Sequence, residues 1–178
     1  MDLYCVMGNP VEHSRSPWIH ARFAELCGQP IAYERRLIAL GAFAEDIAAF
    51  RREATERGDR AGGCNVTVHF KFDAAAIAQH TSERATLAGA VNTLRFAADG
   101  DIHADNTDGI GLVNDIERNA RVPLAGKSLL LIGAGGAAAG VLGPLLGAGA
   151  ARVAVANRTV DKAVAPVRRH SARARGQR

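Results

Sequence analysis

Ser128-Leu129-Leu130-Leu131-Ile132-Gly133-Ala134-Gly135-Gly136-Ala137-Ala138-Ala139-Gly140 is the stretch that decides the fold class. The apolar run to Ile132 lacks polar alternation, which reads as a strand buried on both faces. The small residues after it read as a helix to about Leu146, closed by Gly147-Ala148-Gly149. Arg152 to Ala156 is the next strand. Strand, glycine-rich turn, helix and strand in succession form the setting in which backbone N–H groups at a helix N-terminus receive a pyrophosphate. The spacing Gly133-x-Gly135-Gly136-x-x-x-Gly140 departs from a strict GxGxxG, and a tight turn without a ligand is the plainer alternative.

The end of the second strand points to the nucleotide. A site for NAD carries an acid there, bonded to the ribose 2′-hydroxyl. This chain has Asn157-Arg158-Thr159 instead. Arg158 can pair with a 2′-phosphate that a carboxylate would repel, so NADP is expected over NAD; the alternative is that Arg158 only faces solvent. The candidate cofactor residues are Gly133, Ala134, Gly135, Gly136, Ala137, Asn157, Arg158, Thr159 and Lys162.

Upstream, strands again alternate with helices. Leu3 to Met7 reads as a strand ending in the turn Gly8-Asn9-Pro10. Pro17 to Cys27 reads as a helix with Ser16 as N-cap and Ile19, Phe23 and Leu26 as its inner stripe. Tyr33 to Leu40 is a strand, and Ala42 to Arg57 a helix packed through Phe43, Ile47 and Phe50. Asn65-Val66-Thr67-Val68 is a short strand with both valines on one face and Asn65 and Thr67 on the other, ending at Phe70-Lys71. Helices are expected over Phe72–Ala78, from Thr81-Ser82 to Ala88, and over Ile110–Ala120 with Leu112, Val113 and Ile116 inward. Val91–Phe96 and Ile102–Ala104 are strands. This order indicates an α/β fold with a mostly parallel sheet in an N-terminal substrate domain, followed by an incomplete Rossmann-type NADP-binding domain. The polar link Arg121–Lys127, with Pro123 and Gly126, sets the expected domains at 1–121 and 122–178.

Composition narrows the function classes. An apolar fraction of 48% in 178 residues is enough for a packed core. Cys5, Cys27 and Cys64 show neither zinc nor CxxC spacing, which suits reduced thiols in a cytoplasmic protein, and no metal site is expected. No apolar run approaches a membrane span, and Met1-Asp2-Leu3 lacks the basic start of a signal peptide. The net charge is +4, but Arg168, Arg169, Arg173, Arg175 and Arg178 leave the rest of the chain at −1. A balanced body with a basic tail over 167–178 is not a nucleic-acid face.

Ser14 and Ser16, then Asn65, Thr67 and Lys71, then Asn92 with Asp108, all fall at strand ends or loop starts, where parallel α/β sheets hold ligands. Singly they also read as helix caps, turn chemistry or a solvated lysine. Together they supply hydroxyls, amides, one ammonium and one carboxylate, a set suited to a small polyhydroxylated acid. A lysine at a strand end is a usable acid–base group.

The chain resembles the shikimate dehydrogenases. The resemblance rests on Gly8-Asn9-Pro10, His13-Ser14-Arg15-Ser16-Pro17, Asn65-Val66-Thr67-Val68, Phe70-Lys71, Ala88-Gly89-Ala90-Val91-Asn92-Thr93, Asp105-Asn106-Thr107-Asp108-Gly109, Gly133-Ala134-Gly135-Gly136-Ala137 and Asn157-Arg158-Thr159, across about residues 3–162. It implies NADP-dependent, reversible reduction of 3-dehydroshikimate to shikimate, on the route to chorismate and the aromatic amino acids. It implies that Ser14 and Ser16 hold the substrate carboxylate, and that Asn65, Thr67, Asn92 and Asp108 bind hydroxyls. Lys71 would be the acid–base residue, with Asp108 beside it, and a homodimer is compatible. A quinate/shikimate dehydrogenase and a non-catalytic shikimate-binding fragment are the alternatives.

Two departures from the family are expected. His69 stands where proline is usual, which frees the backbone and adds a titratable group. The cofactor unit shows only two clear strands, and the Arg-rich end from Val167 does not resemble the helix that should follow Asn157-Arg158-Thr159. A truncated or frameshifted member, with an uncovered apolar sheet face and impaired turnover, is therefore expected.

Overall fold

A computed structural model of the chain describes residues 1–176, and side chains as far as Ser171. Close packing divides the chain into two compact units, 1–81 with 92–104, and 82–91 with 105–178. This division does not coincide with the expected boundary at 121/122. Two helices upstream of that boundary, at 83–88 and 108–114, pack on the helix at 136–147 that follows the glycine-rich turn.

The first unit is built on β1 (Asp2–Gly8), β2 (Ile31–Leu37), β3 (Arg60–Val66), β4 (His80–Thr81), β5 (Thr93–Phe96) and β6 (Ile102–Asp105), in the sheet order β2-β1-β3-β5-β6-β4. β1 pairs in parallel with β2 and β3, β4 pairs in parallel with β6, and β5 runs antiparallel to β3. Helices α1 (Ser16–Cys27), α2 (Phe43–Glu56) and α3 (Lys71–Ile77) belong to this unit. On the α2 side the core holds Leu3, Cys5, Met7, Phe43, Ile47, Phe50, Phe70 and Phe96. Phe43 stacks on Phe70 at 5.6 Å, and Phe50 meets Phe96 at 6.2 Å. The Arg36 guanidinium lies over the Phe50 ring and bonds both carboxylate oxygens of Glu53 at 2.8 Å.

Three expectations for this unit are corrected. Helix α1 starts at Ser16 with Arg15 as N-cap, and the Ser14 hydroxyl accepts the Ser16 N–H at 3.3 Å. Its expected inner stripe faces solvent, with Phe23 56% and Leu26 67% exposed. The half-buried row is Ser16, His20 and Ala24, one position away from the apolar stripe, because the His20 ring stacks on Tyr33 of β2. Strand β3 ends at Val66, so Thr67 to Phe70 form a turn and Lys71 opens α3 rather than closing a strand. Val66 is therefore buried while Val68 is exposed. The peptide bonds before Pro10 and His69 are cis.

The second unit contains α4 (Glu83–Ala88), α5 (Asp108–Asn114) continuing as a π turn over Asp115–Asn119, β7 (Ser128–Ile132), α6 (Gly136–Gly147), β8 (Arg152–Ala156) and α7 (Val160–Gly176). β7 and β8 pair in parallel as a two-stranded sheet. Leu124, Val141 and Leu145 form its core, with Val113, Ile116, Leu129, Leu131 and Val153 packed around them. The inward line of α5 is thus Gly109, Val113 and Ile116, and the expected Leu112 is exposed. β7 is not buried on both faces. Leu129 and Leu131 face α6, while Leu130 and Ile132 on the other side are 65% and 80% exposed.

The Arg-rich end is also corrected. It continues α7, and Arg169 donates to the Ala88 carbonyl oxygen at 2.9 Å. Residues 177 and 178 of the expected tail, and side chains from 172 on, lie outside the described residues.

Phe50 is fully enclosed, so Phe50→Ala should destabilise the first unit by about 3–5 kcal/mol, whereas Leu26→Ala on the bare face of α1 should stay within about 0.5 kcal/mol. Urea unfolding midpoints of the two variants check this.

Candidate functional site

The C-terminal end of β3 gathers polar groups because it is paired on both sides. Its neighbour β5 sets Asn65 opposite Thr93, and β1 sets Asn65 beside Val6. The Val66 N–H donates to the Asn92 carbonyl oxygen at 2.7 Å, and the Thr67 N–H to that of Met7 at 2.9 Å. Asn92 is buried, and its Oδ1 accepts from the Thr93 hydroxyl at 2.9 Å. Ser14 donates from its hydroxyl to that of Ser16 at 3.1 Å. The Ser14 carbonyl oxygen is held by Arg35 through two N–H groups at 2.9 and 2.6 Å.

The Tyr33 hydroxyl donates to Asn65 Oδ1 at 2.6 Å and lies near Ser16. Burial pushes the phenol pKa above its ordinary value. The His20 ring lies flat on Tyr33 at 4.4 Å; burial lowers its pKa, and a hydrogen bond with Asn65 partly opposes that shift. Tyr33, His20 and Asn65 border a cavity of about 340 Å³ with Tyr4, Thr93 and Arg95. The sequence pattern does not single out Tyr33 and His20. The available signal is an aromatic on an edge strand facing the same side as Asn65.

Among the expected substrate residues, Ser14, Ser16, Asn65, Thr67, Lys71 and Asn92 belong to the first unit, and Asp108 belongs to the second. Ser14 and Ser16 bond each other, Tyr33 bonds Asn65, and the β3 backbone joins Asn65 and Thr67 to Asn92. Lys71 is half-buried at the first position of α3, held after a turn whose Phe70 N–H donates to the Thr67 carbonyl oxygen at 3.1 Å.

In the second unit Asp108 is the first residue of α5, with Thr107 as N-cap. Asn106, which the sequence pattern also leaves aside, is 1% exposed; it donates to the Ala90 carbonyl oxygen at 2.9 Å and accepts the Asp108 N–H at 3.1 Å. Its carboxamide lies 2.6 Å from where a Cβ on Gly140 would be. The last glycine of the Gly-rich stretch therefore serves close packing of α6 onto this loop. Burial would raise the Asp105 pKa, but Arg84, Ser82 and the Asn106 N–H offset it and hold the carboxyl below its usual range.

Gly133 and Gly135 present open space where a Cβ would sit, and Gly133 has φ +114°. α6 begins immediately after them, with first-turn N–H groups lacking intrahelical acceptors. Arg158, Thr159 and Lys162 are exposed just past β8, and Asn157 Nδ2 donates to the Thr159 carbonyl oxygen at 2.7 Å. An open glycine loop at a helix N-terminus with an exposed arginine past the next strand fits a dinucleotide bearing a 2′-phosphate. No group of three or more His, Cys, Asp or Glu side chains able to hold a metal occurs among the described residues, and no described helix is long and apolar enough to cross a membrane.

Residues 6–94 match the model of the shikimate dehydrogenase substrate binding domain, and residues 116–175 match that of shikimate / quinate 5-dehydrogenase. The chain belongs to the shikimate dehydrogenase family. The NADP(+) shikimate dehydrogenase of Paracidovorax citrulli is 62% identical over 96% of the chain, and that of Nitrosomonas europaea 51% identical over 92%. The chain spans 58% and 57% of the lengths of these relatives. Shikimate 5-dehydrogenase from Thermus thermophilus, solved with shikimate and again with NADP(H) and shikimate, is 34% identical with a TM-score of 0.81. That likeness covers 95% of this chain and about 60% of the other. The second family match runs to residue 175, so it includes most of the Arg-rich end after Lys162.

The depressed pKa of His20 has a defined consequence for stability. The unfolded chain takes up this proton near pH 6.5 while the folded chain does not, so stability present above that pH should fall as pH drops through the folded value. His20→Phe should flatten this part of the profile, read as urea midpoints between about pH 5 and 8.

Proposed function

We propose that this chain carries the substrate-binding and acid–base part of an NADP-dependent shikimate dehydrogenase, which interconverts 3-dehydroshikimate and shikimate on the route to chorismate and the aromatic amino acids. The observation that carries the reading is the family match over residues 6–94, together with the hydroxyls and amides of Ser14, Ser16, Asn65 and Asn92 gathered at the ends of β1, β3 and β5.

Each residue takes a role its chemistry allows. Ser14 and Ser16 donate to the substrate carboxylate, and Asn65, Thr67, Asn92 and Asp108 bind its hydroxyls. Lys71 is the acid–base group: its ammonium stabilises negative charge growing on the carbonyl oxygen and delivers the proton. Asp108 is the second catalytic group. The nicotinamide cofactor, when bound, supplies the hydride. Gly133, Ala134, Gly135, Gly136 and Ala137 would hold its pyrophosphate, and Asn157, Arg158, Thr159 and Lys162 its 2′-phosphate end. Free cysteines suit a reducing cytoplasmic setting, and exposed Trp18 and Phe23 on α1 offer apolar surface to a homodimer.

A second reading follows from β7, where Leu130 and Ile132 lie bare. The cofactor unit is then weakly supported, and the chain binds shikimate while turning it over slowly.

Titration of shikimate into the chain, followed by an assay of NADP-dependent shikimate oxidation, tests both. Lys71→Ala should lower turnover by about 10²–10⁴-fold and leave shikimate affinity within about threefold; an unchanged rate removes Lys71 from the chemistry. Arg158→Ala should weaken NADPH by about tenfold or more and leave NADH unchanged; equal losses would rule out the 2′-phosphate role.

A further inference from the structure

Three groups of the first unit meet at the Tyr33 phenol. Its hydroxyl donates to Asn65 Oδ1 at 2.6 Å, and Ser16 lies near it with its own hydroxyl accepting from Ser14. Its ring is stacked on His20 with an interplanar angle of 4°. Tyr33 lies on β2 and Asn65 on β3, with β1 between them, so the contact spans two strand spacings. That is roughly 9–10 Å of sheet, a gap that a phenol bridges and a serine or asparagine does not.

A carboxamide has one acceptor end and one donor end, and the two are nearly equal in shape. An asparagine without a fixed partner can present either end. Here the acceptor end is committed to the phenol, which leaves Nδ2 as the end available to a ligand. We infer that Tyr33 is a positioning residue that holds the Asn65 carboxamide with Nδ2 turned toward the substrate. The stack on His20 fixes the ring, so the phenol cannot swing away from Asn65. The inference rests on the reading of Asn65 as a shikimate contact, and it adds that Asn65 recognises a substrate oxygen as a donor.

A double-mutant cycle on shikimate binding to the full chain tests it. Tyr33→Phe keeps the ring and its stack on His20 and removes only the hydroxyl. Tyr33→Phe and Asn65→Ala should each weaken shikimate by about tenfold, and the double variant should bind no more weakly than Asn65→Ala alone, because Tyr33 acts through Asn65. Tyr33→Phe should leave the urea midpoint near that of the parent, and the side-chain amide resonances of Asn65 should move in the ligand-free variant. If Asn65→Ala weakens shikimate and Tyr33→Phe does not, or the two losses add, the positioning role is overturned while Asn65 keeps its place in the site. Unmoved amide resonances in Tyr33→Phe overturn it as well, with or without ligand. If Asn65→Ala leaves shikimate binding as it was, or the parent binds none, the reading of Asn65 as a contact falls, and the inference falls with it.

Discussion

Strand β3 is held on both edges, by β1 in parallel and by β5 in antiparallel, and the first unit depends on that double pairing. A strand paired on both sides has no freedom of register, because a slip of one residue would carry every side chain to the other face. Asn65 is thereby kept opposite Thr93 and on the same side as Tyr33, while Cys64 and Val66 are kept in the core. The strand stops at Val66, where the Thr67 N–H is taken by Met7 of β1 and the Val66 N–H by Asn92 ahead of β5. The turn that brings Lys71 to the head of α3 therefore begins from a fixed point. Phe70, buried against Phe43, anchors the other end of that turn.

The second unit relies on close approach. Gly140 and Gly109 let α5, α6 and the Asn106 loop come together where a Cβ would collide. Asn106 then satisfies a carbonyl oxygen of the α4 loop and the first N–H of α5 at once. A buried carboxamide with both ends bonded is worth having in a core, since a half-satisfied one would cost more than it contributes. The glycine-rich stretch thus has two functions along its length. Gly133 and Gly135 leave open space ahead of the helix, and Gly140 packs.

Much of this is legible in the order of residues. The strand–turn–helix–strand at 128–156, the helix at 43–56 through Phe43, Ile47 and Phe50, and the polar residues at strand ends all follow from local pattern. Helix α1 misleads because its strongest apolar stripe is not the side that meets the sheet. One stacking contact, His20 on Tyr33, turns the helix by a residue. β7 misleads for a related reason: an apolar run announces that a strand can be buried on both faces, and only one face is covered. The arginines after Val167 hide a helix, since composition at the end of a chain carries little of the 3.6-residue signal when a proline, Pro166, interrupts it.

By itself the sequence determined most of the strands and helices, the family they belong to, and the chemical types available at the strand ends. These are local matters of propensity, spacing and residue identity. Only the tertiary structure decided which side of α1 meets the sheet, that Tyr33 reaches across β1 to Asn65, and that Asn106 sits against Gly140. Those contacts join residues 32 and 34 positions apart, and their partners are chosen by strand order and by the space left between backbones, neither of which a run of neighbouring residues encodes.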